Sequence, residues 1–415
     1  MVNECITFSI YPLFSRLASK EVKQPLPLNR EEFSRWLSGF IDAEGNFQVF
    51  VDRNYLRVLF RISLHIDDVQ ILHTIHSFLG VGTVAVYKDY CVYKISSVTD
   101  IVKVLIPLLD TYTLYTTKFL DYLYFKQAVN LLVSLPTSRL QGANLEFIKS
   151  LISGMNSGRQ LIDYSTIPTF VFNAFWFLGF VEGEGTFGLK NLVPYFQIGQ
   201  HNRNIMVLEG IAAALSALPN MFGFTLNSKP PVVSNTLNQT TNVNVLAISN
   251  VDALYDYLAY FFLSMQFQTR KSVDFYYWCI CLYMHKYGYA YLPEGRALLV
   301  KIAAYINSSR YSTASSPAIQ PLLAEVQHVL SLQLPIVLQP HMTHLLLAQA
   351  CARLVTTREV WVYDNGALVT GSPFMSYAAA QEAIGISRTS VAVRRNIDTN
   401  KAYLGRYKFY STKQT

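Results

Sequence analysis

The chain has 415 residues, of which 51% are hydrophobic and 15% are charged, and its formal net charge is +7. This length allows two or three domains with substantial cores, and this composition excludes a chain that is disordered overall. The modest positive charge is compatible with a polyanionic partner but does not identify one. Five cysteines without a CxxC pair favour free thiols over a disulfide framework. No apolar run reaches the length of a membrane-spanning helix, so we expect no membrane partner.

Residues 1–29 are interpreted as an N-terminal extension. They contain an early acid, Glu4, and lack the basic start and small-residue cleavage site of a secretory signal. An organellar presequence and an exon fusion both stay open for this segment.

The stretch that follows predicts a helix with one unusually small face. In "EEFSRWLSGFIDAEG" the apolar residues recur at helical spacing, and Gly45 is placed to end the helix. Gly39 and Ala43 lie four residues apart on one face, and Gly179 and Gly183 do the same in the later stretch "LGFVEGEGTFG". Glycine inside a helix costs about 0.5–1 kcal/mol relative to alanine, so it needs a reason. We expect the two helices to pack closely along these small faces.

Each of these two motif helices ends in a glutamate, Glu44 in the first copy and Glu184 in the second. If the helices pack side by side, both carboxylates emerge at helix C-termini, where the helix dipole and the like charge disfavour them. A divalent cation would resolve this conflict, because Mg²⁺ prefers carboxylate and phosphate oxygens. Two metals about 3.5–4 Å apart could clamp the attacking and leaving oxygens of a phosphodiester. The alternative is that both glutamates are solvated residues at helix ends.

After each motif helix the hydrophobic period changes to two, which is typical of strands. In "LRVLFRISLH" the alternation places apolar residues on one face and polar residues on the other, with Leu59 as the exception. A polar sheet face suits a DNA groove, because Arg and Gln pair with guanine and adenine edges. The alternative is an ordinary half-buried sheet with a solvated face. The candidate DNA contacts in these strands are Gln48, Arg57, Arg61, Ser63, His65, Lys190, Tyr195, Gln197 and His201.

Four sequence signals recur in the same order, which indicates a duplicated domain. They are the motif helix, a strand that ends in histidine, an aromatic run preceded by a lysine, and a later segment that ends in "MNSGR" or "INSSR". We therefore divide the chain into a first half, 30–165, and a second half, 166–312. A Ser- and Pro-rich segment, 313–358, predicts a linker with some helix, and a third unit, 359–415, follows it.

The lysines that precede the two aromatic runs occupy equivalent positions in the repeat. Lys118 and Lys271 could each stabilise the charge that develops at a scissile phosphate, or orient water there. Alternatively, they are helix-surface lysines that pair with Asp121 or Asp274.

The C-terminal unit predicts two short helices joined by a glycine turn. Ser376 is placed to cap a helix that runs through Ala383 and closes at Gly385, and Ser387 to cap a second helix. A basic second helix is typical of a helix-turn-helix, which places that helix in the DNA major groove. The alternative is a small capping subdomain. The candidate DNA contacts are Arg388, Arg394 and Arg395.

The motif residues resemble the LAGLIDADG homing endonuclease family in its double-motif, single-chain form. The family motif falls on Leu37–Gly45, "LSGFIDAEG", and on Phe177–Gly185, "FLGFVEGEG". The resemblance covers about residues 30–312 and implies an α+β fold. In that fold, two pseudo-symmetric αββαββα halves meet at their motif helices, and their antiparallel sheets form a saddle over DNA. The C-terminal unit is similar to the modular DNA-binding repeat of some intron-encoded nucleases.

The resemblance also implies a function and a site. The function is metal-dependent hydrolytic cleavage of both strands of a long, asymmetric DNA target by a monomer. Glu44 and Glu184 would bind the metal, Mg²⁺ or Mn²⁺, with help from the backbone carbonyls of Ala43 and Gly183. The location implied is the mitochondrion, with the protein encoded in the organelle.

Two other functions stay open at this point. An intron maturase, which binds its intron RNA to assist splicing, uses the same scaffold in this family, so the fold cannot decide between them. A DNA-binding regulator that relies on the C-terminal unit is the other. The presence of both glutamates favours cleavage.

Overall fold

The computed structural model describes residues 26–219, 234–307, 311–312, 322–334, 336, 342–355 and 359–414. Most of the predicted N-terminal extension and parts of the predicted linker lie outside these described residues. The chain divides into two compact units, the first formed by 1–284 with 296–328 and the second by 285–295 with 329–415. Among the described residues, no helix has the length and apolar character needed to cross a membrane. The exact domain boundaries named above stay predictions.

The first half follows the predicted αββαββα order, with further helices at its end. Its elements are α1 (Arg30–Glu44), β1 (Gly45–Asp52), β2 (Tyr55–His65), α2 (Val69–Leu79), β3 (Thr83–Val86), β4 (Tyr90–Ile95), α3 (Val98–Asp100), α4 (Ile106–Thr111), α5 (Lys118–Ser134) and α6 (Gly142–Ser153). The four strands form an antiparallel sheet in the order β1–β2–β4–β3. A short 3-10 turn, Ile66–Asp68, connects β2 to α2.

The second half repeats this arrangement. Its elements are α7 (Ala174–Glu184), β5 (Gly185–Lys190), β6 (Val193–His201), α8 (Ile205–Ser216), β7 (Ser234–Asn238), β8 (Val243–Ile248), α9 (Val251–Ala253), α10 (Tyr260–Leu263), α11 (Lys271–Tyr287) and α12 (Pro293–Tyr305). Its sheet has the order β5–β6–β8–β7, the same as in the first half. The 3-10 turn Asn202–Asn204 stands where Ile66–Asp68 stands in the first half. The predicted duplication and the α+β fold are confirmed.

Polar caps set where the motif helices begin, and glycines mark where they end. Asn29 begins α1 with a capping box: its side chain accepts a hydrogen bond from the Glu32 backbone, and the Glu32 carboxylate accepts one from the Asn29 backbone. Asn173 caps α7 with its side-chain oxygen. Each helix then passes directly into a strand, at Gly45 and Gly185. The glutamate that closes each helix is thereby held between a helix and a sheet.

The core lies between the sheets and the helices that pack on them. Along β2, Val58 and Phe60 are buried while Arg57 and Arg61 are exposed, which confirms the predicted alternation. Phe60 packs on Phe47 of β1, with ring centroids 5.2 Å apart. The Phe47 ring also packs on aromatic rings of α5. Burying one large apolar side chain stabilises a fold by about 1.5–3 kcal/mol, so these contacts hold the first sheet against α5.

The C-terminal unit has a small sheet that the sequence analysis did not predict. Its elements are β9 (Trp361–Asp364), β10 (Ala367–Leu368), α13 (Tyr377–Ala383), α14 (Ala392–Asn396) and β11 (Tyr407–Tyr410), after two earlier helices, Leu323–Ser331 and His344–Val355. The strands have the order β10–β9–β11. They share a core with both short helices, formed by Val360, Val362, Ala380, Val393 and Phe409.

The two short helices agree with the prediction only in part. The Ser376 side chain caps α13, which ends at Ala383 before Gly385 adopts a positive φ of 73°, as predicted. The second helix was predicted to begin after Ser387, and this was wrong, because α14 begins only at Ala392. The Ser387 hydroxyl instead accepts a hydrogen bond from the Thr389 backbone, and such local bonds compete with helix formation. Arg388 therefore lies in the turn and not on the helix.

Candidate active site

The two motif helices touch at the backbone level, as their small faces predict. A Cβ atom added to Gly39 would lie 1.9 Å from the carbonyl oxygen of Trp176. A Cβ atom on Gly179 would lie 2.0 Å from the carbonyl oxygen of Trp36. These positions are related by the internal repeat, so each helix presents its glycine to the carbonyl of the other. Only glycine allows this approach, and the close packing of the two helices is confirmed.

Hydrogen bonds cross the helix interface in a reciprocal pair. The Trp36 indole donates to the Glu182 carboxylate at 3.0 Å, and the Trp176 indole donates to the Asp42 carboxylate at 3.1 Å. Asp42 and Glu182 are the first acids of the two motifs, and both are buried. They lie at the interface and are turned away from solvent, so their role differs from that of the glutamates that close the helices.

These two buried acids also hold the loops that precede α5 and α11. Asp42 accepts hydrogen bonds from the backbone of Tyr115, at 2.8 Å, and of Thr116, at 3.1 Å. Glu182 accepts them from the backbone of Gln268, at 2.8 Å, and of Thr269, at 2.5 Å. Burial raises the pKa of Glu182 to about 7, while these donors favour its carboxylate. This role was not predicted from the sequence, although an acid two residues before each terminal glutamate was a visible signal.

The loops held in this way place one lysine beside each motif helix. The Lys118 ammonium donates to the carbonyl oxygens of Ile41, at 3.1 Å, and Ala43, at 2.9 Å. The Lys271 ammonium donates to Gly183, at 3.4 Å, and to Gly185, at 2.5 Å. Burial lowers the pKa of Lys118. Both lysines therefore lie at the helix ends from which the two glutamates project.

The alternative role considered for the first lysine is contradicted by its surroundings. Asp121 accepts a hydrogen bond from the Arg159 guanidinium at 2.6 Å and one from the Asn156 backbone at 2.8 Å. Lys118 is directed towards the backbone of α1 and is not a surface lysine paired with Asp121. In the second half, Asp274 similarly accepts from the Asn307 backbone at 2.7 Å.

Glu44 and Glu184 meet at the end of the helix pair. A Cβ atom added to Gly183 would lie 3.3 Å from a carboxylate oxygen of Glu44, so the first glutamate reaches across to the second helix. Burial, and secondly the charge of Glu184, raises the pKa of Glu44 above its ordinary value. Burial likewise raises the pKa of Glu184. Both line one cavity of about 780 Å³, together with Lys271.

The donor set of this cavity fits a divalent cation. Burial raises the pKa values of both carboxyl groups, and a bound cation would stabilise their charged forms. Carboxylate oxygens are the ligands that Mg²⁺ and Mn²⁺ favour. In the part of the chain that the structure describes, no cluster of three or more His, Cys, Asp or Glu side chains could hold a metal ion. The remaining ligands would therefore have to come from backbone carbonyls, water or a bound phosphodiester. The carbonyls of Ala43 and Gly183 directly precede the two glutamates in sequence, although each accepts a hydrogen bond from a lysine.

One further polar residue at the glutamates was missed. Gln200 is buried on the inner face of β6, and its side chain forms a hydrogen bond with Glu184 that lowers the pKa of that carboxyl against the effect of burial. Its amide oxygen also accepts from Asn204 at 2.7 Å. In the first half the equivalent position is Leu64, so the two glutamates have different neighbours. A glutamine on the apolar face of a strand was the signal available in the sequence.

Most predicted DNA contacts lie on the outer face of the two sheets. Pairing of β1 with β2 and of β5 with β6 brings them side by side on each sheet, away from the aromatic core. Arg57, Arg61, Ser63 and Lys190 are exposed, and Gln48, Tyr195 and Gln197 are partly exposed. On the first sheet Leu59 lies beside Gln48 and Phe50 lies beside Arg57, so this face is mixed and not purely polar.

The two predicted histidine contacts have a structural role as well. The Nδ1 atoms of His65 and His201 accept hydrogen bonds from the backbone of Asp67 and Arg203, each at 3.2 Å. They thereby cap the 3-10 turns that leave the sheets. The Nδ1 atom of each ring is thus engaged in the fold.

The predicted DNA contacts of the C-terminal unit lie at the surface of that unit. Arg388, Arg394 and Arg395 are all exposed. Arg388 lies 3.4 Å from the Glu382 carboxylate, and Arg394 and Arg395 lie in the last turn of α14. The three arginines remain available on one short segment.

Fold and site together define a double-motif α+β protein with paired carboxylates at a helix interface. The model of a family described as LAGLIDADG endonuclease matches residues 37–129. The chain is 25% identical over 300 residues to the uncharacterized mitochondrial protein RF1 of Saccharomyces cerevisiae, covering 68% of this chain and 61% of that protein. It is 33% identical over 176 residues to the probable intron-encoded endonuclease 3 of Neurospora crassa, covering 37% of this chain and 32% of that protein.

Solved structures share the fold. The LAGLIDADG homing endonuclease I-GzeII, whose crystal structure is in complex with a DNA target, is similar with a TM-score of 0.57 at 23% identity, covering 67% of this chain and 99% of that chain. At this identity the likeness shows the fold alone. The chain is thus similar in fold to LAGLIDADG homing endonucleases, and the family model matches part of its first half. The chain spans about 61% of the length of the yeast relative and about 32% of the Neurospora relative.

Proposed function

We propose that this protein is a site-specific homing endonuclease that hydrolyses both strands of a long, asymmetric DNA target. One observation carries the proposal: two helices in backbone contact direct Glu44 and Glu184 into a single cavity, with one lysine beside each helix end. Folding alone gives no reason to place two carboxylates together at a low-exposure site. Such a strained arrangement is typical of a functional site.

The two glutamates would hold Mg²⁺ or Mn²⁺, with the carbonyls of Ala43 and Gly183 nearby. When bound, the cation would activate water and neutralise charge on the phosphodiester. Lys118 and Lys271 are positioned to stabilise the negative charge that develops on the phosphate oxygens. Their hydrogen bonds to the backbone of the motif helices fix the ammonium groups relative to the carboxylates. One chain supplies both halves of the site, so we expect it to act as a monomer.

The outer sheet faces would recognise the duplex. Arg57, Arg61 and Gln197 present the side chains that pair with guanine and adenine edges in the major groove. The exposed arginines of the C-terminal unit would add contacts outside the target read by the sheets. Two observations support these added contacts: the C-terminal unit has a hydrophobic core of its own, and three exposed arginines lie on one of its segments.

The names of the relatives support this function and a mitochondrial location. They include a mitochondrial protein of yeast and several probable intron-encoded endonucleases. An intron maturase that binds RNA is not favoured, because both glutamates are present and these relatives are named as endonucleases.

The test uses Glu44→Gln and Glu184→Gln proteins with duplex DNA that joins the two sequences flanking this reading frame. With Mg²⁺ the wild type should cut both strands, whereas each variant should lose cleavage by several orders of magnitude and still bind the duplex. Glu146→Gln, at an exposed glutamate on α6, is the matched control and should cut normally. Full cleavage by either active-site variant would overturn the assignment.

A further inference from the structure

Two corners of the candidate active site are equivalent by the internal repeat. The first corner comprises residues 65–68 with Arg270, Tyr311 and Ser312, and the second comprises residues 201–204 with Thr117. Each corner begins at a strand-ending histidine that caps a 3-10 turn.

The last residue of each turn is bound by the opposite half of the protein. The Arg270 backbone donates to a carboxylate oxygen of Asp68 at 3.2 Å. The Thr117 backbone donates to the amide oxygen of Asn204 at 2.9 Å. Asp68 and Asn204 therefore occupy matched positions. Each accepts a hydrogen bond from the backbone directly before a helix, α11 for Asp68 and α5 for Asn204. They differ in charge and hardly in shape.

The neighbouring positions increase this difference in charge. Among the described residues of the first corner, Asp67 and Asp68 contribute two negative charges and Arg270, whose guanidinium lies 2.8 Å from the Asp67 carboxylate, contributes one positive charge. In the second corner, Arg203 takes the place of Asp67, and the uncharged Thr117 takes the place of Arg270. The first corner is thus negative in balance and the second positive.

Asp68 faces the reactive groups. It lines the same cavity as Glu44 and Glu184, and its charge contributes to the raised pKa of Glu44. Its carboxylate is held in place, because the Tyr311 hydroxyl donates to it at 2.9 Å while the Tyr311 ring packs on His65 with centroids 4.3 Å apart. The residue is only 8% exposed, so salt screens its charge weakly. A fixed negative charge here opposes a phosphate and the further charge that builds up during hydrolysis.

We propose that Asp68 makes the two strand cleavages unequal, so that the strand whose scissile phosphate lies at the first corner is cut more slowly. This inference rests on the proposed nuclease function. Asp68 acts through its field on the phosphate and the neighbouring glutamate, and not as a ligand or a proton carrier. The second corner, with Asn204 and Arg203, lacks this opposing charge.

The experiment measures the rate constant for each strand separately. A duplex target is labelled at one end of either strand, saturated with protein, and started with Mg²⁺. The wild type should accumulate a nicked duplex before the double-strand break. Asp68→Asn keeps the acceptor for the Arg270 backbone and reproduces the residue of the other corner, so folding should be retained. It should raise the rate constant of the slower strand by about 3- to 10-fold and leave the faster strand unchanged, as expected for removal of one weakly screened charge that lines the same cavity.

The reciprocal variant is Asn204→Asp, which should slow the faster strand by at least a similar factor, because it adds the charge and also removes the amide that donates to Gln200 beside Glu184. The double variant, Asp68→Asn with Asn204→Asp, should reverse the order of cutting. Equal rate constants for the two strands in the wild type, or a strand ratio that neither single variant changes, would overturn the inference. A wild type that binds its target and cuts neither strand would contradict the proposed function itself, and the inference with it.

Discussion

Trp36 and Glu182 belong to different halves of the chain, and a 3.0 Å hydrogen bond joins the indole of one to the carboxylate of the other. The same carboxylate accepts from the backbone ahead of the helix that begins at Lys271. One buried acid therefore links the opposite motif helix, its own motif helix and the loop that positions a lysine. The Trp176–Asp42 pair does the same for Lys118.

This linkage predicts a cost for removing the indole donor. Trp36→Phe keeps most of the buried ring but leaves the Glu182 carboxylate with one donor fewer. We expect a loss of about 1–3 kcal/mol in the free energy of unfolding. Chemical denaturation measures it. Phe33→Leu, on the same helix but without a polar partner, is the comparison, and an equal or larger loss there would contradict a special role for the hydrogen bond.

The backbone contact between the motif helices predicts that Gly39→Ala is strongly destabilising. Its Cβ would lie 1.9 Å from a carbonyl oxygen, so the helices must separate. We expect a cost of at least about 1–3 kcal/mol, the range for overpacked cores, and weaker cleavage because the two glutamates move apart. Gly199→Ala is the control, since its Cβ would meet, among the described residues, only Val243 at an ordinary 3.6 Å. Similar melting temperatures for the two variants would count against the packing described.

The carboxylate pair predicts a pH-dependent cost to stability in the absence of metal. Folding raises the pKa of Glu44 and of Glu184, so the folded protein loses stability as pH rises above their ordinary value of 4.5. Glu44→Gln removes one charge of the pair. It should therefore stabilise the metal-free protein at pH 8 and have little effect at pH 4. Denaturation in chelator at both pH values measures this, and a variant less stable than wild type at pH 8 would oppose it.

The lysines predict a loss of rate without loss of binding. Lys118→Met and Lys271→Met keep the aliphatic stem and remove the charge, so each should reduce the single-turnover cleavage rate by about 10²–10³-fold. DNA affinity should change little, since many other groups contact the duplex. Lys149→Met replaces an exposed lysine on α6 and should cut at the wild-type rate. Normal cleavage by both active-site variants would remove the lysines from the mechanism.

Much of the site could be predicted because its key residues repeat. The paired glycines, the terminal glutamates and the lysines recur at equivalent positions in both halves. A chance occurrence would not be expected to repeat in this way. The roles of Asp42 and Glu182 could not be derived, since their backbone donors lie more than seventy residues away in sequence. Gln200 was missed because strand alternation assigns it to the core. The start of α14 was wrong because hydroxyls of a serine-rich turn bind their own backbone, which periodicity does not show.

The central claim is that Glu44 and Glu184 jointly bind a divalent cation beneath a DNA duplex. The most direct test is anomalous scattering from Mn²⁺ in crystals of the protein bound to its target. We predict a peak within ligand distance of both carboxylates, abolished in the Glu44→Gln, Glu184→Gln double variant. Well-ordered DNA with no Mn²⁺ peak at these side chains, or with Mn²⁺ held only elsewhere, would contradict the account.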